Sequence, residues 1–81
     1  MITVLRAAGL RVAIDSNDHE PAHVHVIGDG DAKIDLTGPD GPRFIWINRM
    51  SRAEAKRAFA LVRDNRMLLL TRWREIHERP D

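Results

Sequence analysis

The chain contains no cysteine, which excludes both disulfide bonds and thiolate metal ligands. It also lacks any apolar run near the roughly 20 residues that a membrane-spanning helix needs, since runs such as Met67 to Leu70 are far shorter. No charged N-terminal segment is followed by a long apolar stretch, so the sequence does not match a secretion signal. From these absences we expect a cytoplasmic protein that makes no contact with membranes.

A large excess of charge of one sign is also missing, because the formal net charge is only +1. The two halves of the chain nevertheless differ. Residues 1–42 carry three bases and seven acids, a net charge of −4, whereas residues 43–81 carry ten bases and five acids, a net charge of +5. Nine of those ten bases are arginines, whose planar donor groups suit phosphate or an acidic partner. A solvated helix surface would explain the same composition.

The length of 81 residues predicts a single domain, residues 1–81, near the lower size limit for folding without a disulfide or a metal. A homodimer or a small partner protein would add contact area to such a small core. Short β-branched and alternating segments predict an antiparallel meander of four to five strands. In the second of them, alternation places Val12 toward the core and Ala13 on the other side. The predicted strands are Ile2 to Arg6, Leu10 to Asp15, His23 to Ile27, Ala32 to Leu36 and Phe44 to Ile47.

The hydrophobic period changes after these strands. Ser51 and Glu54 form a capping-box pattern, which predicts a helix from Arg52 to Asp64. Asn65 marks the end of that helix, and a second helix is predicted from Arg66 to about Glu78; one kinked helix across Asn65 is the alternative. The sequence therefore indicates an α+β fold, in which two C-terminal helices pack on one face of the sheet.

The loop between the third and fourth strands decides what the histidines face. A three-residue loop, Gly28-Asp29-Gly30, places His25 opposite Lys33 and His23 opposite Asp35, with the last glycine in the left-handed conformation. A two-residue loop would mix polar and apolar side chains on both faces. Because such a register error is costly when one face is buried, we predict the three-residue loop.

The stretch from Asp18 to Val26 holds three of the four histidines, His19, His23 and His25, within seven residues. Residues i and i+2 of a strand point to the same face, so His23 and His25 should stand side by side. A core strand needs only one apolar face, and composition alone does not explain two imidazoles on the other. This stretch is therefore the candidate functional site.

One explanation is metal binding. His23 and His25 could direct ring nitrogens at one ion, with His19 or Asp18 completing the set from the preceding loop. Three nitrogen or oxygen ligands and an open position are typical of a hydrolytic zinc site. The sequence leaves the cofactor open, because a metal-free site fits the same residues.

A second explanation is metal-free cleavage of RNA. Neighbouring histidines can divide the roles of general base and general acid. Lys33 would stabilise the charge that develops on phosphorus, and Asp35 would fix the tautomer of His23. The arginine-rich helices would hold the RNA through contacts with its phosphates.

A third explanation is structural. His19 and Asp18 would cap the turn, and His23 and His25 would be half-exposed strand residues bonded to their neighbours. His77, near the C-terminus, fits a favourable charge at a helix end better than a ligand.

All four residues from Phe44 to Ile47 are apolar, so this strand is either covered on both faces or lies at an interface. Trp46 alternates with Ile45 and Ile47. A subunit or partner interface is the favoured explanation, and a platform for base stacking is the alternative. Trp73 lies on the apolar stripe of the second helix and is predicted to be in the core.

Several segments of the sequence carry a resemblance to a known family: Ile2 to Leu5, Gly9 to Arg11, Asn17 to Val26, Ala32 to Ile34 and Asn65 to Trp73. They resemble a small prokaryotic family of unknown function numbered 4160, and the likeness covers almost the whole chain. Relative to the family pattern, Ala22 replaces one of two prolines before the second histidine and leaves every polar group in place.

Members of this family look like one half of two-gene cassettes of toxin–antitoxin type, beside another small protein. The resemblance thus implies a toxin-like component with a small cognate partner. Our leading hypothesis is a histidine-dependent ribonuclease that uses His19, His23, His25, Asp18, Lys33 and Asp35. The alternative is a non-enzymatic protein-binding module, the partner or antitoxin subunit, whose histidines hold a metal or only the loop.

Overall fold

The computed structural model describes residues 1–78 as five strands followed by two helices. The strands form one antiparallel sheet in which each strand is hydrogen-bonded to its neighbours in sequence. This confirms the predicted α+β architecture. The elements are β1 (Ile2–Ala7), β2 (Leu10–Ile14), β3 (His23–Ile27), β4 (Asp31–Asp35), β5 (Arg43–Asn48), α1 (Arg52–Asp64) and α2 (Arg66–His77).

Alternation along the strands directs one set of side chains into the core. Val12, Val24 and Ile34, on three adjacent strands, have no exposed surface. Ala58 and Val62 of α1 pack against this side of the sheet, which we call the core face. The buried cluster also contains Leu10, Ile14, Ala22, Val26, Leu36, Leu69 and Trp73. Trp73 is therefore a core residue, as its position on the stripe predicts.

The other side of the sheet is the histidine face, where Ala13, His25, Lys33 and Trp46 pair in a row across four strands. Alternation alone predicts Ala13 to be on the outer side. It does lie on the histidine face, but it is completely buried. Its methyl group stands between Thr3 and His25 on the two flanking strands, and these longer side chains shield it.

The register of the β3–β4 hairpin is the predicted one. His25 pairs with Lys33 and His23 with Asp35, around a three-residue loop. The prediction for Gly30 is wrong, because it does not have a positive φ. A Cβ atom there would instead collide with the backbone of Asn48 and Arg49. Glycine is required because the end of β5 approaches the loop too closely for any side chain.

A bulge in β5 resolves which of its apolar residues face the core. Lys33 pairs with Trp46, but the next residue, Ile34, pairs with Phe44, so Ile45 is the extra residue of the bulge. Phe44 consequently lies on the core face and Trp46 on the histidine face. Because β5 is also an edge strand, Ile45, Trp46 and Ile47 remain 47%, 40% and 47% exposed.

The two helices are separate, as predicted, and Asn65 lies between them. The side chain of Ser51 caps α1 by accepting a hydrogen bond from the backbone N–H of Glu54. The side-chain amide of Asn65 donates to the carbonyl of Leu61 at the other end. Within residues 1–78, neither helix has the length and apolar character that crossing a membrane requires.

The carboxylate of Glu54 does not turn back to its own helix as a capping box would predict. It accepts hydrogen bonds from the backbone N–H groups of Asp29 and Gly30, each at 3.0 Å, and so joins α1 to the β3–β4 loop. The bond from Gly30 and then that from Asp29 hold the pKa of Glu54 below its usual value, against a smaller opposite effect of burial, and the nearby charge of Arg57 adds to the lowering.

This geometry predicts a pH-dependent contribution of Glu54 to stability. Because its pKa is lower in the folded than in the unfolded state, the contribution is complete above about pH 4.3 and is lost as the pH falls through the folded value. Glu54→Gln should therefore lower the free energy of unfolding at pH 7, and its deficit should shrink in more acidic buffer. Urea denaturation of the wild type and the variant, at pH 7 and in the more acidic buffer, measures the difference in the free energy of unfolding. Glu75→Gln is the matched control, and a deficit that does not change with pH would contradict the charge argument.

Candidate functional site

Asp18 of the β2–β3 loop reaches two imidazoles of β3 with one oxygen. Its Oδ2 lies 2.8 Å from Nε2 of His23 and 3.1 Å from Nε2 of His25. These three atoms all lie within 4.8 Å of one another. We call Asp18, His23 and His25 the Asp–His cluster. It forms because the strand period places both rings on one face and the loop folds back over them.

The contact of Nδ1 determines the tautomer of His23. Nδ1 lies 2.9 Å from the carbonyl oxygen of Pro21, and since a carbonyl can only accept, Nδ1 must carry a proton. In a neutral ring, Nε2 would then present a lone pair to an oxygen of Asp18 that also carries lone pairs. The close contact therefore requires a second proton, or another cation, between Nε2 and the carboxylate.

Asp35 does not have the role predicted for it. It pairs with His23 in the register, but its carboxylate accepts hydrogen bonds at 2.7 Å from both the backbone N–H and the hydroxyl of Thr37. A further contact of 3.5 Å joins it to Arg43. Burial raises the pKa of Asp35, but the bonds from Thr37 and the charge of Arg43 outweigh it, so the pKa is lowered. The carbonyl of Pro21, and not Asp35, fixes the tautomer of His23.

Of the two remaining predicted site residues, one lies apart from the Asp–His cluster and the other lies beside it. His19 is exposed, and it is not among the residues whose ligand atoms converge. Lys33 is half-buried directly opposite His25, so it does lie beside the cluster. The structure thus joins Asp18, His23 and His25 by close contacts and places Lys33 opposite His25 in the register. His19 and the carboxylate of Asp35 are not part of these contacts.

The electrostatics of the cluster favour a negative charge on Asp18. Burial raises its pKa, but the hydrogen bonds with His25 and His23, together with their charge, outweigh burial and lower the pKa. An ionised Asp18 can accept from Nε2–H of both rings. His25 can donate this bond as a neutral ring, which leaves Nδ1 with a lone pair, whereas His23 already donates through Nδ1.

The three side chains of the cluster differ in exposure. The side chain of His23 is 5% exposed, that of His25 15% and that of Asp18 29%. His23 contacts the ring of Trp73 at a centroid distance of 5.1 Å and meets His25 edge-on at 5.4 Å. A ligand can therefore approach from the side of Asp18 and His25, while His23 forms the floor.

Three residues that support this floor were not predicted as part of the site. The indole N–H of Trp73 donates to the carboxylate of Glu20 at 3.1 Å. The ring of His77 stacks on Trp73 at 3.7 Å, and its two nitrogens lie 2.9 Å and 3.2 Å from the carbonyl oxygens of Trp73 and Asp15. The i, i+4 spacing of Trp73 and His77 predicts their contact. No sequence pattern predicts the bonds of these residues to Glu20 and Asp15 in the β2–β3 loop.

The histidine face also carries aromatic and basic groups. The ring of Trp46 lies 6.3 Å from that of His25. Arg11 and Arg43 lie on the same face, because alternation from Ala13 and pairing with Asp35 place them there. The exposed arginines of α1 are on a helix that packs against the core face. The strands therefore supply basic groups on the face that carries the cluster.

Comparison with known protein families gives a match. The profile of a family described as "Domain of unknown function (DUF4160)" matches residues 9–74, a range that contains the whole Asp–His cluster. No curated protein and no solved structure matches the chain.

The contacts of His77 predict a measurable role in stability. His77→Ala removes the contact of Nε2 with the carbonyl of Asp15, which joins α2 to the β2–β3 loop, and the contact of Nδ1 with the carbonyl of Trp73 within α2. At about 0.5–1.5 kcal/mol for each hydrogen bond, the free energy of unfolding should fall by about 1–3 kcal/mol. Urea denaturation measures the change. Thr71→Ala, which removes an exposed bond within the same helix, is the control. Equal effects of the two substitutions would show that His77 does not hold the loop.

Proposed function

The chain belongs to this family of domains of unknown function, and from that premise and the geometry of the Asp–His cluster we propose that it is a toxin-like ribonuclease of a prokaryotic toxin–antitoxin pair. The observation that carries the proposal is the row formed by His25, Lys33 and Trp46 on the histidine face, with Asp18 bonded to His25. A proton acceptor, a cation and a flat aromatic ring thus lie within reach of one bound nucleotide.

The arrangement suits cleavage through the 2′-hydroxyl of RNA. Asp18 holds Nε2–H of His25, so Nδ1 of that ring is free to accept the 2′-hydroxyl proton. The 2′-oxygen then forms a bond to phosphorus while the bond from phosphorus to the 5′-oxygen breaks. His25 returns the proton to the leaving 5′-oxygen, which yields a 2′,3′-cyclic phosphate and a 5′-hydroxyl. Lys33 offsets the negative charge that grows on the phosphoryl oxygens.

The same face offers a means of holding the strand. Trp46 is exposed and can stack on a base, a contact that tolerates any sequence. Arg11 and Arg43 flank the row and can contact neighbouring phosphates. His23 is too buried to touch RNA, so its part is to position Asp18. His25 is accordingly the proposed catalytic base.

The test is cleavage of a labelled single-stranded RNA by the purified chain. His25→Ala should lower the cleavage rate by about 10²–10⁴-fold, the typical contribution of a general base. Lys33→Ala should lower it as well, whereas Lys56→Ala, an exposed lysine on α1, should not. The products should end in a 2′,3′-cyclic phosphate, which mass spectrometry identifies.

Expression in bacteria gives the cellular counterpart. The wild-type chain should arrest growth and His25→Ala should not. Circular dichroism of the purified variants shows whether each is folded. Cleavage and growth arrest that persist in a folded His25→Ala variant would refute the proposed role, and a wild-type chain without cleavage would refute the ribonuclease.

A second candidate function is binding of a small partner protein, which the edge strand β5 favours. Its outer backbone groups have no neighbouring strand in residues 1–78, and its three exposed apolar residues lie beside them. A groove of about 630 Å³, lined by Phe44, Ile47, Met50, Ala55 and Phe59 among others, adjoins this strand. A partner can add a strand to β5 and place apolar side chains in the groove.

This candidate predicts that Ile45→Lys abolishes copurification with the small cognate partner that the family resemblance implies, because it puts a charge on the edge where the partner would add its strand. Leu68→Lys is a matched control, since Leu68 of α2 is 46% exposed and Ile45 is 47% exposed. Copurification should survive in the control. If both variants still copurify with the partner, β5 is not the binding edge.

A further inference from the structure

Three potential ligand atoms of the Asp–His cluster converge on one point, and their close contacts require protons or a metal ion among them. Nδ1–H of His23 donates to the carbonyl of Pro21, so in the neutral ring the lone pair of Nε2 points at Oδ2 of Asp18. Nε2 of His25 points at the same oxygen. We propose that Asp18, His23 and His25 form a binding site for a zinc ion, coordinated through Oδ2 and the two Nε2 atoms. The binding itself does not depend on the proposed function.

The distances among the three ligand atoms are close to those of a zinc site. Ligand atoms at about 2.0–2.2 Å from a tetrahedral Zn²⁺ stand roughly 3.3–3.6 Å from one another. The two contacts of Asp18 measure 2.8 Å and 3.1 Å, and the three atoms lie within 4.8 Å of one another. The contacts of Asp18 would therefore lengthen by roughly 0.2–0.8 Å on zinc binding, and the two Nε2 atoms, which lie within 4.8 Å of each other, would take up the same tetrahedral spacing.

The donor set selects the kind of metal. Two imidazole nitrogens and one carboxylate oxygen are ligands typical of zinc, whereas Mg²⁺ and Ca²⁺ prefer sites made of oxygen alone. Three protein ligands leave a fourth position open. That position lies on the side of Asp18 and His25, because the side chain of His23 is only 5% exposed.

The surroundings of His23 match those of a metal ligand. Histidines that bind metals commonly donate their other ring N–H to a backbone carbonyl or a carboxylate, which fixes the ring and its tautomer. The carbonyl of Pro21 accepts this bond at 2.9 Å. Trp73 packs against the ring, and Glu20 and His77 hold Trp73 in place. This ligand is therefore preorganised before any ion binds.

Zinc binding is measured by isothermal titration of ZnCl₂ into the full chain, purified without a histidine tag and treated with a chelator. One zinc ion should bind per chain. Asp18→Asn and His25→Ala should each weaken binding by more than about 100-fold, because even residues that only support a ligand cost 10–100-fold when removed. Asp40→Asn is the matched control, since Asp40 is exposed in the β4–β5 loop, and it should keep the wild-type affinity.

His19→Ala decides between this site and one that recruits the neighbouring loop histidine. The cluster predicts unchanged zinc affinity for this variant. A loss as large as that of His25→Ala would overturn the ligand set, and so would wild-type protein that binds no zinc or affinity that survives in Asp18→Asn.

Nuclear magnetic resonance of the imidazole nitrogens tests the ligands directly, because zinc changes the chemical shift of a nitrogen that binds it. If the histidines were only structural, zinc would not change these shifts. Zinc should shift the Nε2 signals of His23 and His25 and leave those of His19 and His77 in place. Nδ1 of His23 should stay protonated throughout. Shifts at His19, or none at His25, would refute the assignment even if titration shows binding.

Zinc at this point would also regulate the proposed ribonuclease, and this consequence does rest on the proposed function. A ring that binds zinc through Nε2 carries its proton on Nδ1, so His25 could no longer accept the 2′-hydroxyl proton. RNA cleavage by the zinc-free chain should then fall as zinc is added, with a midpoint at the measured dissociation constant. Binding without cleavage would refute only the ribonuclease, and cleavage that zinc leaves unchanged would refute only the regulation.

Discussion

The contact of one carboxylate oxygen with two imidazole rings is the constraint on which the site depends. Oδ2 of Asp18 lies 2.8 Å from Nε2 of His23 and 3.1 Å from Nε2 of His25. Atoms that all carry lone pairs do not approach so closely unless positive charge lies between them. Protons and a metal ion both satisfy this requirement. The contact with the Pro21 carbonyl excludes the neutral tautomer in which Nε2 of His23 carries the proton and could donate to Asp18. For His23 the positive charge is therefore required.

The rest of the fold holds β3 at both ends, which keeps the rings in place. At the end that follows His25, Glu54 of α1 binds the backbone of the β3–β4 loop. At the end that precedes His23, α2 binds the β2–β3 loop through Trp73 and His77. The two helices thus do more than cover the core face. Each fixes one loop of the strand that carries the cluster.

The strand register and the helix boundaries could be predicted from the sequence. When only one face of a short sheet is buried, few registers keep the apolar side chains on that face. The three-residue loop, unlike a two-residue loop, sets Val24 and Val26 opposite the apolar Ile34 and Ala32. The pairs of His25 with Lys33 and of His23 with Asp35 therefore followed from alternation. The helix boundaries followed from Ser51 and Asn65 in the same way.

The choice between Asp18 and His19 could not be predicted, since it depends on the path of an irregular loop that no period describes. The hydrogen bonds of Asp35 with Thr37 could have been predicted, because an aspartate two residues before a threonine favours a local turn. The bond from Glu54 to the β3–β4 loop spans 24 residues and had no local signal. Local rules therefore placed the strands and helices, while long-range contacts between loops and helices completed the site.

The two histidines are adjacent on one face but are not equivalent, and this asymmetry connects the proposals. His23 has both nitrogens engaged and almost no exposed surface, so it can only anchor Asp18 or an ion. His25 has one engaged nitrogen and an open side toward Lys33 and Trp46. Each neutral ring has a single lone pair, which His25 can direct either to a metal through Nε2 or to a substrate proton through Nδ1. Occupation of the cluster by zinc and proton transfer by His25 are therefore alternatives, and the tautomer of one ring decides between them.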